Sequence, residues 1–141
     1  MSIGKTTIAV DVMGGENAPL KNLKGIEIFS KKNNEVAFVL LGVKKKIVDV
    51  INSQNIKISN YEILNTFENI TNDDNASTIL RKRKDSSIYR GLELVKDFKV
   101  SGFVSAGNTA ALMILSRSIL GMIDGIDRPA ICSIIPNKKD Y

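Results

Sequence analysis

The stretch Thr6-Thr7-Ile8-Ala9-Val10-Asp11-Val12-Met13-Gly14-Gly15 decides the fold. Thr6–Val10 is an unbroken β-branched and apolar run, the pattern of a strand covered on both faces of a parallel sheet. It ends on Asp11 and, after two apolar residues, on paired glycines, where the chain turns out of the sheet. Working outward, Glu35–Leu41 repeats the pattern, Tyr61–Leu64 is a weaker third strand and Gly102–Ser105 a short fourth. Ala130–Ile135 is expected as a fifth, stopped by Pro136. The segments between have helical period. Pro19 suits a first helical turn, and Leu23, Ile26 and Phe29 follow it on one apolar face. Lys44–Asn52 predicts a short basic-edged helix. Ser86–Phe98, capped by Ser86 or Ser87, carries the stripe Ile88, Leu92, Val95 and Phe98. Asn108–Leu120 is apolar nearly all round and is expected to be buried. Such alternation predicts an α/β sheet with right-handed crossovers. Nothing after the fifth strand would cover its neighbours, so the sheet reads as unfinished.

With 141 residues there is room for one domain. The apolar share of 43% and charged share of 25% exclude a disordered tail and a fibre. No apolar stretch approaches the roughly 20 residues of a bilayer span. The start of the chain has no signal-peptide pattern, and the single cysteine, Cys132, cannot form an internal disulfide; both point to the cytoplasm. Cys132 lies in an apolar run with no cation beside it and reads as an inert buried thiol. The absence of histidine removes zinc chemistry and any Ser–His or Cys–His nucleophile pair from this chain. A net charge of +5 favours an anionic partner.

Four segments can carry chemistry. Asp11 to Asn17 follows the first strand, where open α/β sheets bind ligands, and Gly14 and Gly15 permit close approach. The alternative is a simple strand-to-helix turn with a capping carboxylate. It is no dinucleotide fingerprint, because Asp11 would repel a pyrophosphate. Ser105-Ala106-Gly107-Asn108-Thr109 leads into a helix whose first N–H groups can reach a phosphate or carbonyl oxygen; plain capping by Asn108 or Thr109 is the other reading. Arg81-Lys82-Arg83-Lys84 is either a solvated basic surface or an anion contact. Aromatics do not interleave with it, so a stacking platform for single-stranded nucleic acid is absent. Asp124 to Ala130 is turn chemistry, with Arg128 available to Asp127 or to a phosphate.

In order and separation, three stretches resemble the PlsX family of phosphate acyltransferases: Ile8 to Gly15, Arg81 to Ser87 with the helix behind it, and Phe103 to Thr109 running into Asp124 to Ala130. The likeness covers nearly the whole chain. It implies a Rossmann-like three-layer sandwich with a mostly parallel sheet, similar to the isocitrate and isopropylmalate dehydrogenases, here truncated to a single partial domain, 1–141. It further implies reversible transfer of a fatty acyl group from acyl carrier protein to inorganic phosphate, giving acyl phosphate for phospholipid synthesis, with no cofactor and no metal. A cytoplasmic homodimer, peripheral association with the membrane and a glycerol-3-phosphate acyltransferase partner also follow from the resemblance; nucleic acid does not. On it, Asn108, Thr109 and Asp11 are the expected catalytic residues, and Gly14, Gly15, Arg81, Lys84, Ser105, Gly107 and Arg128 the phosphate or substrate contacts. Attack by phosphate on a thioester requires a held phosphate and a stabilised oxyanion but no protein nucleophile, which a histidine-free chain can provide. The sequence departs from the family pattern at Glu16, an aspartate in relatives, and at Ala110, commonly a glycine. Family members run to well over twice this length, so the chain reads as an N-terminal portion, a split product or a decayed copy. The rival to an active transferase is a non-catalytic half that needs a complementary chain.

Overall fold

The computed structural model describes residues 6–71 and 73–132. Four parallel strands, β1 (Thr7–Asp11), β2 (Ala37–Gly42), β3 (Tyr61–Asn65) and β4 (Gly102–Ser105), form one sheet in the order β3-β2-β1-β4. Helices α1 (Leu20–Lys32) and α2 (Lys44–Ser53) make the first two crossovers, both stepping in the same direction away from β1. The third connection contains α3 (Ala76–Lys82) and α4 (Ser87–Lys96) and returns the chain to the opposite side of β1. Helix α5 (Thr109–Leu120) follows β4.

Strand period sorts the core into layers. Val10, Phe38 and Leu40 pack with Leu23 and Ile26 of α1 and Ile47 of α2. Their neighbours Ala9, Val39 and Leu41 point the other way, toward Leu94 and Val95 of α4. The sheet is therefore covered on both faces, which is why its strands read as continuous apolar runs. Beyond α4, Ile88 and Leu92 meet Ile79 of α3 and Ala111, Leu115 and Ile119 of α5. Gly91 lets α4 lie against the Phe103 ring, which occupies the place of any Cβ there.

Several details differ from the sequence reading. In α1 the buried positions are Leu23, Ile26 and Ser30. Ser30 returns to the face of Leu23 after almost two turns of about 3.6 residues, whereas Phe29 has rotated off it. Phe29 is half exposed and meets Phe38 edge-on, with ring centroids 6.1 Å apart. Phe98 does not extend the α4 stripe: the helix ends at Lys96, and Phe98 has a φ of 55° and is 94% exposed. Helix α5 buries one face only, and Leu120 is exposed. Helix α3, capped by Asn75, is not expected from the sequence because its seven residues are too few to show a helical period. The expected fifth strand is absent over Ala130–Cys132, which are exposed, as is the Cys132 thiol expected to be buried; Ser133–Ile135 lie outside the described residues. Among the described residues, no helix is long and apolar enough to cross a membrane.

Candidate functional site

The chain leaves β1 for β2 on one side and returns from β3 to β4 on the other, so the strand order reverses between β1 and β4, and a crevice opens at their carboxyl ends, where open α/β sheets bind ligands. Its geometry starts from Asp11, the last residue of β1, which is 2% exposed. Its Oδ1 accepts from the Met13 N–H at 3.1 Å and its Oδ2 from the Ser105 hydroxyl at 2.8 Å. Ser105 Oγ in turn accepts from the Gly107 N–H at 3.0 Å. The chain Gly107 N–H, Ser105 O–H, Asp11 carboxylate thus joins the loop after β4 to the loop after β1.

The two loops touch through glycines. A Cβ on Gly14 would fall 2.6 Å from Gly107 N and 2.6 Å from Asp11 Oδ2, so only glycine fits. Gly15 has a φ of 87°, a conformation that favours glycine, and faces the Ala106 carbonyl. Asn22 of α1 secures the loop from behind: its Nδ2 donates to the carbonyls of Gly14 at 2.8 Å and Val12 at 3.0 Å. Sequence reading missed Asn22, and α1, which also carries Lys21, Lys24, Glu27, Lys31 and Lys32, offers no local signal that singles it out.

The resulting cleft has a volume of about 530 Å³. Asp11, Met13, Gly14, Gly15 and Glu16 line one side, and Ala106, Gly107 and Asn108 another. The far wall was not anticipated: it consists of Asn69, Ile70 and Thr71 from the loop after β3, with Ser87 and Ile88 at the start of α4. The starts of α4 and α5 therefore open onto the same space. Their caps are built alike, Tyr89 N–H donating to Ser86 Oγ and Ala111 N–H to Asn108 Oδ1.

The basic run is divided. Arg83 makes a forked contact with Asp74, Nη2 to Oδ1 at 2.8 Å and Nε to both oxygens at 3.2 Å. That guanidinium, with the Thr71 N–H, holds the Asp74 carboxyl below its ordinary value of 3.8, and Asp74 in turn raises Arg83. Next to it, Asp85 Oδ2 accepts from the Phe67 N–H and Glu68 Oε2 from the Asp85 N–H. These bonds pin the loop carrying Asn69 to Thr71 against the entry to α4. Arg81 and Lys84 are exposed, as is Arg128 in the loop after α5, and none of the three lines the cleft. Ser105 supports the cleft from beneath, and Thr109 is exposed at the first turn of α5. Among the expected residues, then, the fold brings together Asp11, Gly14, Gly15, Ser105, Gly107 and Asn108.

A parallel α/β sheet with a glycine-walled cleft at its switch point, onto which two helix N-termini open, is the arrangement in which open α/β folds place their ligand sites. The model of a family described as fatty acid synthesis protein matches residues 6–141. The chain belongs to that family, the PlsX proteins. It is 41% identical over 129 residues to the phosphate acyltransferase of Magnetococcus marinus, an alignment covering 92% of this chain and 37% of that protein. It is 40% identical over 132 residues to that of Clostridium tetani, covering 94% and 40%, and 39% identical over 132 residues to that of Clostridioides difficile, covering 94% and 38%. The chain spans about two fifths of the length of the curated relatives it matches.

Proposed function

We propose that the chain carries the N-terminal part of an acyl-[acyl carrier protein]:phosphate acyltransferase. The observation that carries this reading is the contact of Gly14 with Gly107, which puts two small-residue loops and two helix starts around one cleft. In the reaction an oxygen of hydrogen phosphate attacks the thioester carbonyl. The tetrahedral intermediate collapses with cleavage of the C–S bond, and the proton of the hydrogen phosphate ends on the departing thiol. No protein nucleophile takes part. The chain's share is to hold the phosphate and the carbonyl together and to offer N–H groups to developing charge. A preorganised donor of that kind contributes roughly 2.7–4 kcal/mol in the transition state.

Asp11, already engaged by Ser105 and Met13, acts as a positioning residue for the two loops. Gly14 and Gly15 give the thioester close approach, and Asn108 with Thr109 begins the helix that faces it. Gly107's N–H, bonded to Ser105, works through that hydroxyl rather than directly on substrate. Exposed Arg81 and Lys84 steer phosphate or an acidic carrier protein, an attraction that salt weakens. The same reading makes the protein cytoplasmic and peripheral at the membrane, homodimeric, and a supplier of acyl phosphate to a glycerol-3-phosphate acyltransferase.

A second reading is favoured by exposed apolar residues, Val104 on β4 and Ile123 and Ile126 in the segment after α5: the chain is a half that turns over only with a complementary polypeptide. One assay tests both. Acyl phosphate is measured from acyl carrier protein thioester and inorganic phosphate, with the chain alone and with the remaining portion of a family member added. Product from the chain alone supports the first reading, and product only after addition supports the second. No product in either case, or full activity after Asn108→Ala, would overturn the assignment.

A further inference from the structure

Asn22 stands behind the glycine turn, outside the cleft lining. Its Nδ2 faces three main-chain carbonyls, those of Gly14 at 2.8 Å, Val12 at 3.0 Å and Asp11 at 3.4 Å. The amide oxygen in that place would meet three acceptors, so the nitrogen is the atom that fits. The contact orients peptide planes as well as holding the loop, because the carbonyl and the N–H of a trans peptide point to opposite sides. With the Val12 carbonyl turned to Asn22, the Met13 N–H must point away from α1. It does so, and reaches Asp11 Oδ1 at 3.1 Å on the cleft side. The Gly14 carbonyl is turned the same way, so the Gly15 N–H is turned to that side as well. Unlike the Met13 N–H, it has no partner among the described residues. Gly15 lines the cleft, and its φ of 87° keeps this orientation open to glycine.

We propose that the Gly15 N–H donates to the thioester carbonyl oxygen as it gains charge, and that Asn22 is the positioning residue that aims it. The identity of the carbonyl rests on the function proposed above. When a phosphate oxygen adds to the carbonyl carbon, the C=O electron pair moves onto the oxygen, and the Gly15 N–H meets it there. Collapse returns that pair and expels the sulfur, which takes the proton of the hydrogen phosphate. A carbonyl suits this wall better than a phosphate dianion does, because the wall also holds the carboxylates of Asp11 and Glu16 and the carbonyl enters uncharged.

The test removes the donor and its support separately. Replacing the Gly14–Gly15 peptide by an ester deletes the Gly15 N–H and leaves the chain otherwise intact. Its unfolding midpoint should hold, since that N–H bonds nothing among the described residues. In the acyl transfer assay described above, with the complementary portion added where transfer requires it, the ester should lower kcat by about 100- to 1,000-fold with little change in the KM for phosphate. Asn22→Ala should lower kcat as well, a misplacement of about 1 Å costing on the order of 100-fold. The two changes combined should cost no more than the ester alone, because Asn22 acts through the N–H that the ester lacks. Additive losses would make Asn22 merely structural and overturn its role. An ester variant with unaltered kcat, or one that raises only the KM for phosphate, would overturn the assignment of the donor and leave the transferase reading standing. A second readout needs no turnover. The Gly15 amide proton should exchange fast in the unaltered chain, and its resonance should move in N22A. A Gly15 proton protected from exchange, or a resonance indifferent to Asn22, would overturn the proposal. Fast exchange with the expected movement, but no transfer in any assay, would support the aim set by Asn22 and remove the transferase reading.

Discussion

Ser105 donates its hydroxyl to Asp11 at 2.8 Å, a bond between residues 94 apart in sequence that ties the end of β4 to the end of β1. Both strands run in register up to this pair, Asp11 lying opposite Ser105. A carboxylate 2% exposed is tolerable here because each of its oxygens accepts a hydrogen bond.

Removing one partner should therefore expose the coupling. Ser105→Ala leaves Asp11 Oδ2 and the Gly107 N–H without their bonds, at an expected cost of about 1–3 kcal/mol for each buried group left unsatisfied. Asp11→Ala frees both Ser105 and Met13. Urea unfolding of the two single variants and the double variant should give strongly non-additive losses. Additive losses would mean that the Asp11–Ser105 bond carries no stability.

Gly14 and Gly25 make a contrasting pair. A methyl group at Gly14 collides with Gly107 N and Asp11 Oδ2, each at 2.6 Å, and both loops must move to admit it. Gly14→Ala is expected to lower the unfolding midpoint and to weaken phosphate binding. At Gly25, inside α1, nothing lies within 4 Å of the added Cβ. Gly25→Ala should stabilise the chain by roughly 0.5–1 kcal/mol, since alanine loses less backbone freedom in a helix. The opposite signs are readable in one set of thermal melts.

How far the sequence alone reaches follows from such positions. The strands were legible because β1 and β2 are buried on both faces and carry unbroken apolar runs, and Asp11 with Gly14 stood at a strand end. Gly107 and Asn108 were legible for the same reason. Their contact across the switch point was not, since no local pattern states which loops become neighbours. The far wall was hidden more deeply. Asn69 to Thr71 show no periodicity, and their place depends on Arg83 pairing with Asp74 and Asp85 with Phe67 N–H. A run of four cations reads as one patch, yet among the described residues Arg83 alone of the four is paired with an acid, Asp74. Phe98 misled because an apolar residue at helical spacing says nothing of where the helix stops.

The Arg83–Asp74 contact predicts a pH dependence. Arg83, and after it the Thr71 N–H, lowers the Asp74 carboxyl from its ordinary value of 3.8. A depressed carboxylate contributes stability that is fully present above that ordinary value and is lost as pH falls through the lower, folded-state value. Glu27, lowered mainly by Lys31, loses its contribution in the same direction from its ordinary 4.5. The unfolding midpoint should fall on acidification below about pH 4, the region where unperturbed carboxylates begin to protonate. Asp74→Asn should flatten part of that fall and loosen the loop over residues 66–74, read by faster amide exchange at Phe67 and Thr71. A variant with the same acid profile as the unaltered chain would show that the pair does not stabilise the fold.

The side of the sheet at β4 leads to the last expectation. Strand β4 pairs with β1 and, among the described strands, with no other, while Val104 is 56% exposed on it. Ile123 at 80%, Ile126 at 51% and Ile131 at 66% follow in the segment after α5. An unpaired strand edge and exposed apolar side chains each favour association. The purified chain should accordingly bind a hydrophobic dye and sediment as concentration-dependent oligomers. Val104→Lys combined with Ile123→Lys, both at exposed positions, should shift it toward monomer with little change in the unfolding midpoint. If the chain acts as a half enzyme, adding the complementary portion of a family member should suppress dye binding in the unaltered chain and fail to do so in the double lysine variant. A monomeric chain that binds no dye would show that this surface stands exposed without consequence, and the complementation reading would lose its structural motive.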